Sequence, residues 1–254
     1  MERKAILLVS FGTVDDRARE AFLMPLEREI GKAFPQWQVH RAYTSAVVVE
    51  KLARKGIPAC SPEATLEQLR KDGVERVLVV PAFLASGGEY RRLVKRLESW
   101  RDLTMAQPLL VEPEDILQLA RILSGQYTAG EGEALVFMGH GTEGEGNQCY
   151  AQLQIALRDL GLKHAFVALL HGKPELGETL AAICAAGCTS VRLVPLMLTA
   201  GSHGTKHMAG DCDDSWKNRC IAAGLKTGWE LSGLGQLREV RQMYIRKARK
   251  AIGQ

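Results

Sequence analysis

Three histidines in the second half of the chain each close an apolar run and each precede a glycine. His140-Gly141 comes two residues after LVFM, His171-Gly172 directly after AFVALL, and His203-Gly204 in the loop TAGSHG that follows VRLVPLML. Imidazole suits two tasks at neutral pH: with an unperturbed pKa of about 6.5 it moves protons, and its neutral nitrogen binds transition-metal ions. The glycines let backbone and ligand approach closely. A single histidine after a strand is ordinarily a loop residue with its own hydrogen bonds. Three, delivered by separate strands to one sheet edge, point instead to a metal or proton-transfer site. Adjacent strands run about 4.8 Å apart, so imidazoles at matching ends can meet on one cation. Nitrogen ligands favour Co, Ni, Fe or Zn over Mg or Ca.

Other residues border this pattern. His207 lies four residues beyond His203; it is a possible fourth ligand if the segment is helical and solvent-exposed if it is not. Glu89 begins a helix after Gly87, where free N–H groups favour a carboxylate, so capping and function both account for it. Arg91, Arg92, Lys95 and Arg96 have helical spacing and form either a solvated face or a site for an anion. Asp211, Asp213 and Asp214 read as a solvated helix start that could also attract cations. His40 and His164 fall near strand starts or helix edges and read as structural. Cys60, Cys149, Cys184, Cys188, Cys212 and Cys220 form no CxxC pair and are expected as reduced thiols, with Cys184 and Cys188, one turn apart, structural rather than a metal clip.

The elements that must position these groups are legible from periodicity. Short apolar, β-branched runs alternate with longer amphipathic stretches, as in βαβ units around a parallel sheet. Strands are predicted at Ala5 to Val9, Gln38 to Ala42, Val77 to Val80, Ala134 to Met138, Ala165 to Leu170 and Val191 to Leu196, with weaker ones at Met105 to Leu110 and Lys226 to Glu230. The chain also repeats itself. AILLVSFGT from Ala5 aligns with ALVFMGHGT from Ala134, and GVERVLVVPAFLASGGE from Gly73 aligns without gaps with GCTSVRLVPLMLTAGSH from Gly187. Val77 then matches Val191, Pro81 matches Pro195 and Glu89 matches His203.

The fold expected is therefore α/β, with two homologous, doubly wound domains, each on a parallel four-stranded sheet, and an interdomain cleft. The division is placed at 1–126 and 127–254, where polar residues and glycine replace the apolar periodicity, and the last helix is free to pack back on the first domain. Ligands of such domains bind at the carboxyl ends of the strands. Ser10, Phe11, Gly12 and Thr13 match Gly139 to Thr142 and, with Gly87 and Glu89, are expected to line a substrate site there.

Composition excludes several classes. At 254 residues, 46% hydrophobic and 24% charged, the chain reads as an ordinary globular protein. No apolar run approaches the roughly 18 residues of a membrane span, and the segment after Met1 ends at polar Ser10 without a cleavage site, so a cytoplasmic protein is expected. A net charge of +4 with 6% aromatic residues argues against nucleic acid and suits a small anion. No GxGxxG or GxxxxGK[ST] follows a strand, so no nucleotide cofactor is expected. Assembly into a homo-oligomer is left open.

The strings LVSFGT, RAYTS, GGEY, MGHGTE, VPLML with AG and His203, MAGD and DDSWKN run colinearly along nearly the whole chain and resemble the anaerobic sirohydrochlorin cobaltochelatases, class II tetrapyrrole chelatases. The resemblance implies two flavodoxin-like domains around an anionic tetrapyrrole, and ATP-independent insertion of Co(II) into sirohydrochlorin for cobalamin synthesis, with Ni or Fe as the metal in relatives. It places the family's catalytic histidine pair on His140 and His203. A glutamate usual in a string like TVEGYP is replaced here by His171 in LLHGKP, completing an expected metal set of His140, His171 and His203, with Glu89 as a further catalytic group. Other departures are Phe83 in PAF where PLH is usual, GEGN after MGHGTE, and AGSHGTKHMAGD, which carries Ser202 for an aspartate and introduces His207. These departures allow a different metal or macrocycle, or a non-catalytic tetrapyrrole or metal carrier.

Overall fold

The computed structural model of the chain describes residues 2–142 and 144–254. Its first part runs β1 (Lys4–Ser10), α1 (Asp16–Ala18), a π-helical turn (Arg19–Leu23), α2 (Met24–Ala33), β2 (Gln38–Tyr43), α3 (Ala46–Arg54), α4 (Pro62–Lys71), β3 (Arg76–Pro81), α5 (Gly88–Leu97) and β4 (Leu103–Met105). There follow α6 (Pro113–Gln126), β5 (Glu133–Gly141), α7 (Gln148–Asp159), β6 (Ala165–His171), α8 (Leu176–Ala185), β7 (Ser190–Leu196), a π-helical turn (His203–Met208), α9 (Trp216–Ala222), β8 (Lys226–Trp229) and α10 (Arg238–Ala251).

The strands form two parallel sheets, ordered β2-β1-β3-β4 and β6-β5-β7-β8. The orders are the same element for element, as a duplicated chain requires. Register agrees as well: Ala5 lies opposite Val77 and Ala134 opposite Val191, the residue pairs that the sequence repeat equates. Parallel strands covered on both faces read as continuous apolar runs, and Ile6, Leu7, Leu8, Leu135, Val136 and Phe137 are all fully buried. On one face of the first sheet Ala5, Leu7 and Val9 pack with Leu66 and Leu69 of α4 and Leu93 and Leu97 of α5. In the second, Ala134, Val136 and Met138 pack with Leu176, Leu180 and Ile183 of α8 and Trp216 and Cys220 of α9. Each fully buried aliphatic side chain contributes about 1.5–3 kcal/mol, so the central strands, whose ends carry the candidate residues, are the firmest parts of each sheet.

Local chemistry fixes the helix starts. The hydroxyls of Ser45, Ser61 and Ser215 accept the N–H groups of Val48, Ala64 and Asn218 at 3.2–3.3 Å, each cap being worth about 1 kcal/mol. The Ser215 cap lies within the string DDSWKN and starts α9, a short helix that the apolar period alone does not reveal. The expected strand from Met105 to Leu110 is corrected to three residues, Leu103–Met105, because the chain leaves the sheet edge once Met105 has paired with Val79.

The chain divides into two compact units, residues 1–111 with 241–254, and residues 112–240. The boundary thus differs from the expected division at 126/127. Helix α6 packs against α7 in the second unit, burying Ile116, Leu119, Ala120 and Leu123. The end of the chain belongs to the first unit: Arg241 and Gln242 donate to the Glu29 carboxylate at 2.8 and 2.9 Å, and the buried Tyr244 hydroxyl donates to the Phe83 carbonyl at 3.0 Å. Among the described residues no helix is long and apolar enough to cross a membrane. The six cysteines are free thiols; Cys184 is exposed while Cys188 is packed in the core, which fits the structural reading of that pair.

Candidate metal centre

The central strand of the second sheet, β5, and its neighbour β6 end together, with Gly141 opposite His171. His140 and His171 are therefore strand residues rather than residues beyond the strands, and both are exposed. Their ring centroids lie 5.0 Å apart at 63°. His203 comes from the connection after β7, on the other side of β5, and its ring lies 4.8 Å from that of His140 at 84°. The loop expected around His203 is helical from Gly201 to Met208. The turn places His207 on the same face, with ring centroids 5.0 Å apart. His140 is thus flanked by His171 and His203, and His203 in turn by His207.

These spacings suit a transition-metal ion. Imidazole nitrogens about 2.1 Å from one cation at near-tetrahedral angles put neighbouring ring centroids roughly 5 Å apart. The rings lie edge to face, however, and among the described residues no three donor side chains already close around one point. Side-chain rotation, with the strand ends fixed, is the motion required for convergence.

Hydrogen bonds set which nitrogens are available. His140 Nδ1 lies 2.9 Å from the Gly141 carbonyl; a carbonyl only accepts, so Nδ1 carries a proton, and in the neutral ring Nε2 is the nitrogen with the lone pair. His203 is half-buried, and loss of hydration, reinforced by the neighbouring His140, His207 and His171, pushes its pKa down to about 4. It therefore stays unprotonated at neutral pH, as a metal ligand must.

The end of β5 behind His140 is held by Asn147. The Thr142 N–H donates to Asn147 Oδ1 at 2.8 Å, and Asn147 Nδ2 donates to the Thr142 carbonyl at 2.7 Å. An asparagine just before α7 was the available signal, but sequence does not show that it folds back on the strand end. Glu143 of the MGHGTE string lies outside the described residues.

Gly141 ties two of the histidines together. It has a φ of +74°, and an added Cβ would stand 1.9 Å from the His171 carbonyl oxygen. Gly141→Ala is expected to lower Tm by several degrees and to weaken Co(II) binding, because β6 must shift at the residue that carries an imidazole. Gly187→Ala is the control: φ is +72° but nothing lies within 4 Å of the added Cβ, so it should carry the conformational cost of about 1 kcal/mol with unchanged binding. Equal Co(II) titrations for the two variants would refute the coupling.

The remaining candidates are each described within their own unit. Glu89, in the first unit, accepts from the Thr44 hydroxyl at 3.2 Å and pairs with Arg92. Arg96 donates to both oxygens of Glu63 at 2.5 and 2.7 Å, and Arg91 to the Ser86 carbonyl at 3.0 Å, so these arginines are bound within their own unit. Asp211 pairs with Lys217 at 2.7 Å. Ser10 is buried at the end of β1 and Phe11 beside it is half exposed. Gly12 is held close to Tyr43 and Val48, and Gly87 caps α5. His40 lies within β2 and His164 precedes β6, neither in the cluster.

The family model described as "Cobalt chelatase (CbiK)" matches residues 4–253. A sirohydrochlorin cobaltochelatase of Salmonella typhimurium is 33% identical over 256 residues, covering 98% of this chain and 97% of that protein. The sirohydrochlorin cobaltochelatase CbiKC of Nitratidesulfovibrio vulgaris is 31% identical over 234 residues, covering 89% and 82%. Among solved structures, SirB from Bacillus subtilis with Fe3+ superposes with a TM-score of 0.67 at 14% identity, over 98% of this chain and 95% of that one; this likeness concerns the fold.

Proposed function

Because the chain belongs to the cobalt chelatase (CbiK) family, we propose that it inserts Co(II) into sirohydrochlorin, with the metal as substrate and the macrocycle as the anionic partner. The resemblance read from the colinear strings is borne out by the family match. The observation that carries the reading is the set of three imidazoles, from β5, β6 and the turn after β7, in which the His203 and His171 centroids lie 4.8 and 5.0 Å from that of His140.

Insertion exchanges one dication for two pyrrole N–H protons. The residues must hold the cation against one face of the ring and let those protons leave. His140, with its Nε2 lone pair exposed, and His203, unprotonated at neutral pH, are suited to hold it, and His171 completes the set. Glu89, the repeat counterpart of His203, is assigned to the same reaction as a carboxylate steadied by Thr44 and Arg92. Ser10, Phe11, Gly12, Thr13 and Gly87 are assigned to the macrocycle, Phe11 offering an exposed ring where His140 stands in the repeat. No nucleotide is assigned to the reaction; the entering cation displaces two pyrrole protons, which His140, His171 or water take up.

Anaerobic absorbance of sirohydrochlorin with the protein and Co(II), without nucleotide, tests this. Multiple turnovers of the metallated product above the spontaneous rate are expected. Tight binding of either component with no turnover would replace the enzyme by a carrier, and faster turnover with Ni(II) or Fe(II) would reassign the metal.

A further inference from the structure

We infer that His207 is a positioning residue, which fixes the tautomer and orientation of His203 so that the His203 Nε2 lone pair is presented to the metal. The inference rests on the reading of His203 as a ligand, and it comes from one contact. His203 Nδ1 and His207 Nδ1 are 3.0 Å apart, so between two neutral rings one Nδ1 donates and the other accepts.

The two choices are not equivalent. If His203 donates, its Nε2 is a lone pair beside His140, and the Nε2–H of the exposed His207 faces water, which accepts it. If His207 donates, His203 must carry its proton on Nε2 and has no lone pair there to offer a cation. The first tautomer is therefore the one competent to bind a cation through Nε2, and it requires His207 as the acceptor. The backbone supports the pair: the π-helical turn His203–Met208, closed by the Ala209 N–H on the Gly204 carbonyl at 3.0 Å, holds the two rings on one face. Single π turns of this kind recur at functional sites. When a metal binds Nε2, the Nδ1–H becomes a stronger donor and its acceptor steadies the complex, a role that in metalloproteins falls to a carboxylate, carbonyl or water. Here an imidazole fills it, without adding negative charge.

The test compares His207→Phe, which keeps a flat ring but no acceptor, with His207→Asn, whose Oδ1 can stand near the place of Nδ1, and uses Co(II) alone as the probe. Metal-free wild-type protein should show His203 as the Nδ1–H tautomer by 15N chemical shifts. His207→Phe should lose that signature and bind Co(II) about 10–100-fold more weakly, with its circular dichroism and Tm retained, and His207→Asn should recover to within a few-fold of wild type. An Nε2–H His203 in the wild type would overturn the inference. So would equal losses in Phe and Asn variants, the mark of a direct ligand, or a silent His207→Phe beside a damaging His203→Ala. A silent His203→Ala would remove the ligand reading itself, and the inference with it.

Discussion

His140→Ala is expected to lower Co(II) insertion by about 10²–10⁴-fold, the span associated with losing a group that acts directly in proton transfer, while leaving the fold intact. His140 is the ring with neighbours on both sides, His171 at 5.0 Å and His203 at 4.8 Å, so its removal separates the other two across the end of the central strand. The side chain is exposed, and truncation at such a position ordinarily moves stability within about 0.5 kcal/mol. The strand beneath is buried and keeps its register. The two effects can therefore be read apart, by initial rates with sirohydrochlorin and by thermal unfolding of the same sample. His203→Ala should fall in the same range for a different reason. With a pKa near 4, His203 is a ligand with its lone pair available at neutral pH, but a weak base, so pyrrole protons are better passed to the other rings or to water. Wild-type rates in both variants would end the assignment.

The sequence carried the frame of this site further than its details. Residues buried on both faces of a parallel sheet leave unbroken apolar runs, and a duplicated chain leaves them twice; the two halves marked by AILLVSFGT and ALVFMGHGT accordingly share one strand order and pair Ala5 with Val77 and Ala134 with Val191. His140, His171 and His203 were visible because each interrupts or follows such a run. What was hidden depends on tertiary packing. Gly201, Ser202 and Gly204 give the segment around His203 the composition of a loop, and only its docked, hydrogen-bonded form reveals a helical turn and the place of His207. Asn147 is polar in sequence and becomes a clamp only once the chain folds back on Thr142. Helices α6 and α10 each bury apolar residues, but periodicity does not say against which sheet, and the boundary moved accordingly.

The second large effect concerns the choice of metal rather than the rate. His171→Glu is expected to raise affinity for Fe(II) about tenfold or more, for Co(II) less, and for Ni(II) least. Three imidazoles leave a bound dication with its full charge, whereas a carboxylate at the end of β6 would halve it. A dication and a carboxylate about 4 Å apart attract by about 8 kcal/mol near a protein surface and about 2 kcal/mol in water, twice the unit-charge figures; because His171 is exposed, the gain should lie toward the lower figure, equivalent to roughly a ten- to hundredfold change. The gain is not shared equally. Imidazole suits Ni and Co, an anionic oxygen suits harder ions, and the substitution should compress the preference that an all-nitrogen set imposes. The backbone role of His171, whose carbonyl abuts Gly141, is untouched, so the fold is retained. Titrating wild type and variant with Co(II), Ni(II), Fe(II) and Zn(II) under anaerobic conditions reads the ratios directly. If all four affinities move by one common factor, or none moves, the imidazole at position 171 does not set metal choice and the proposed ligand set loses its third member.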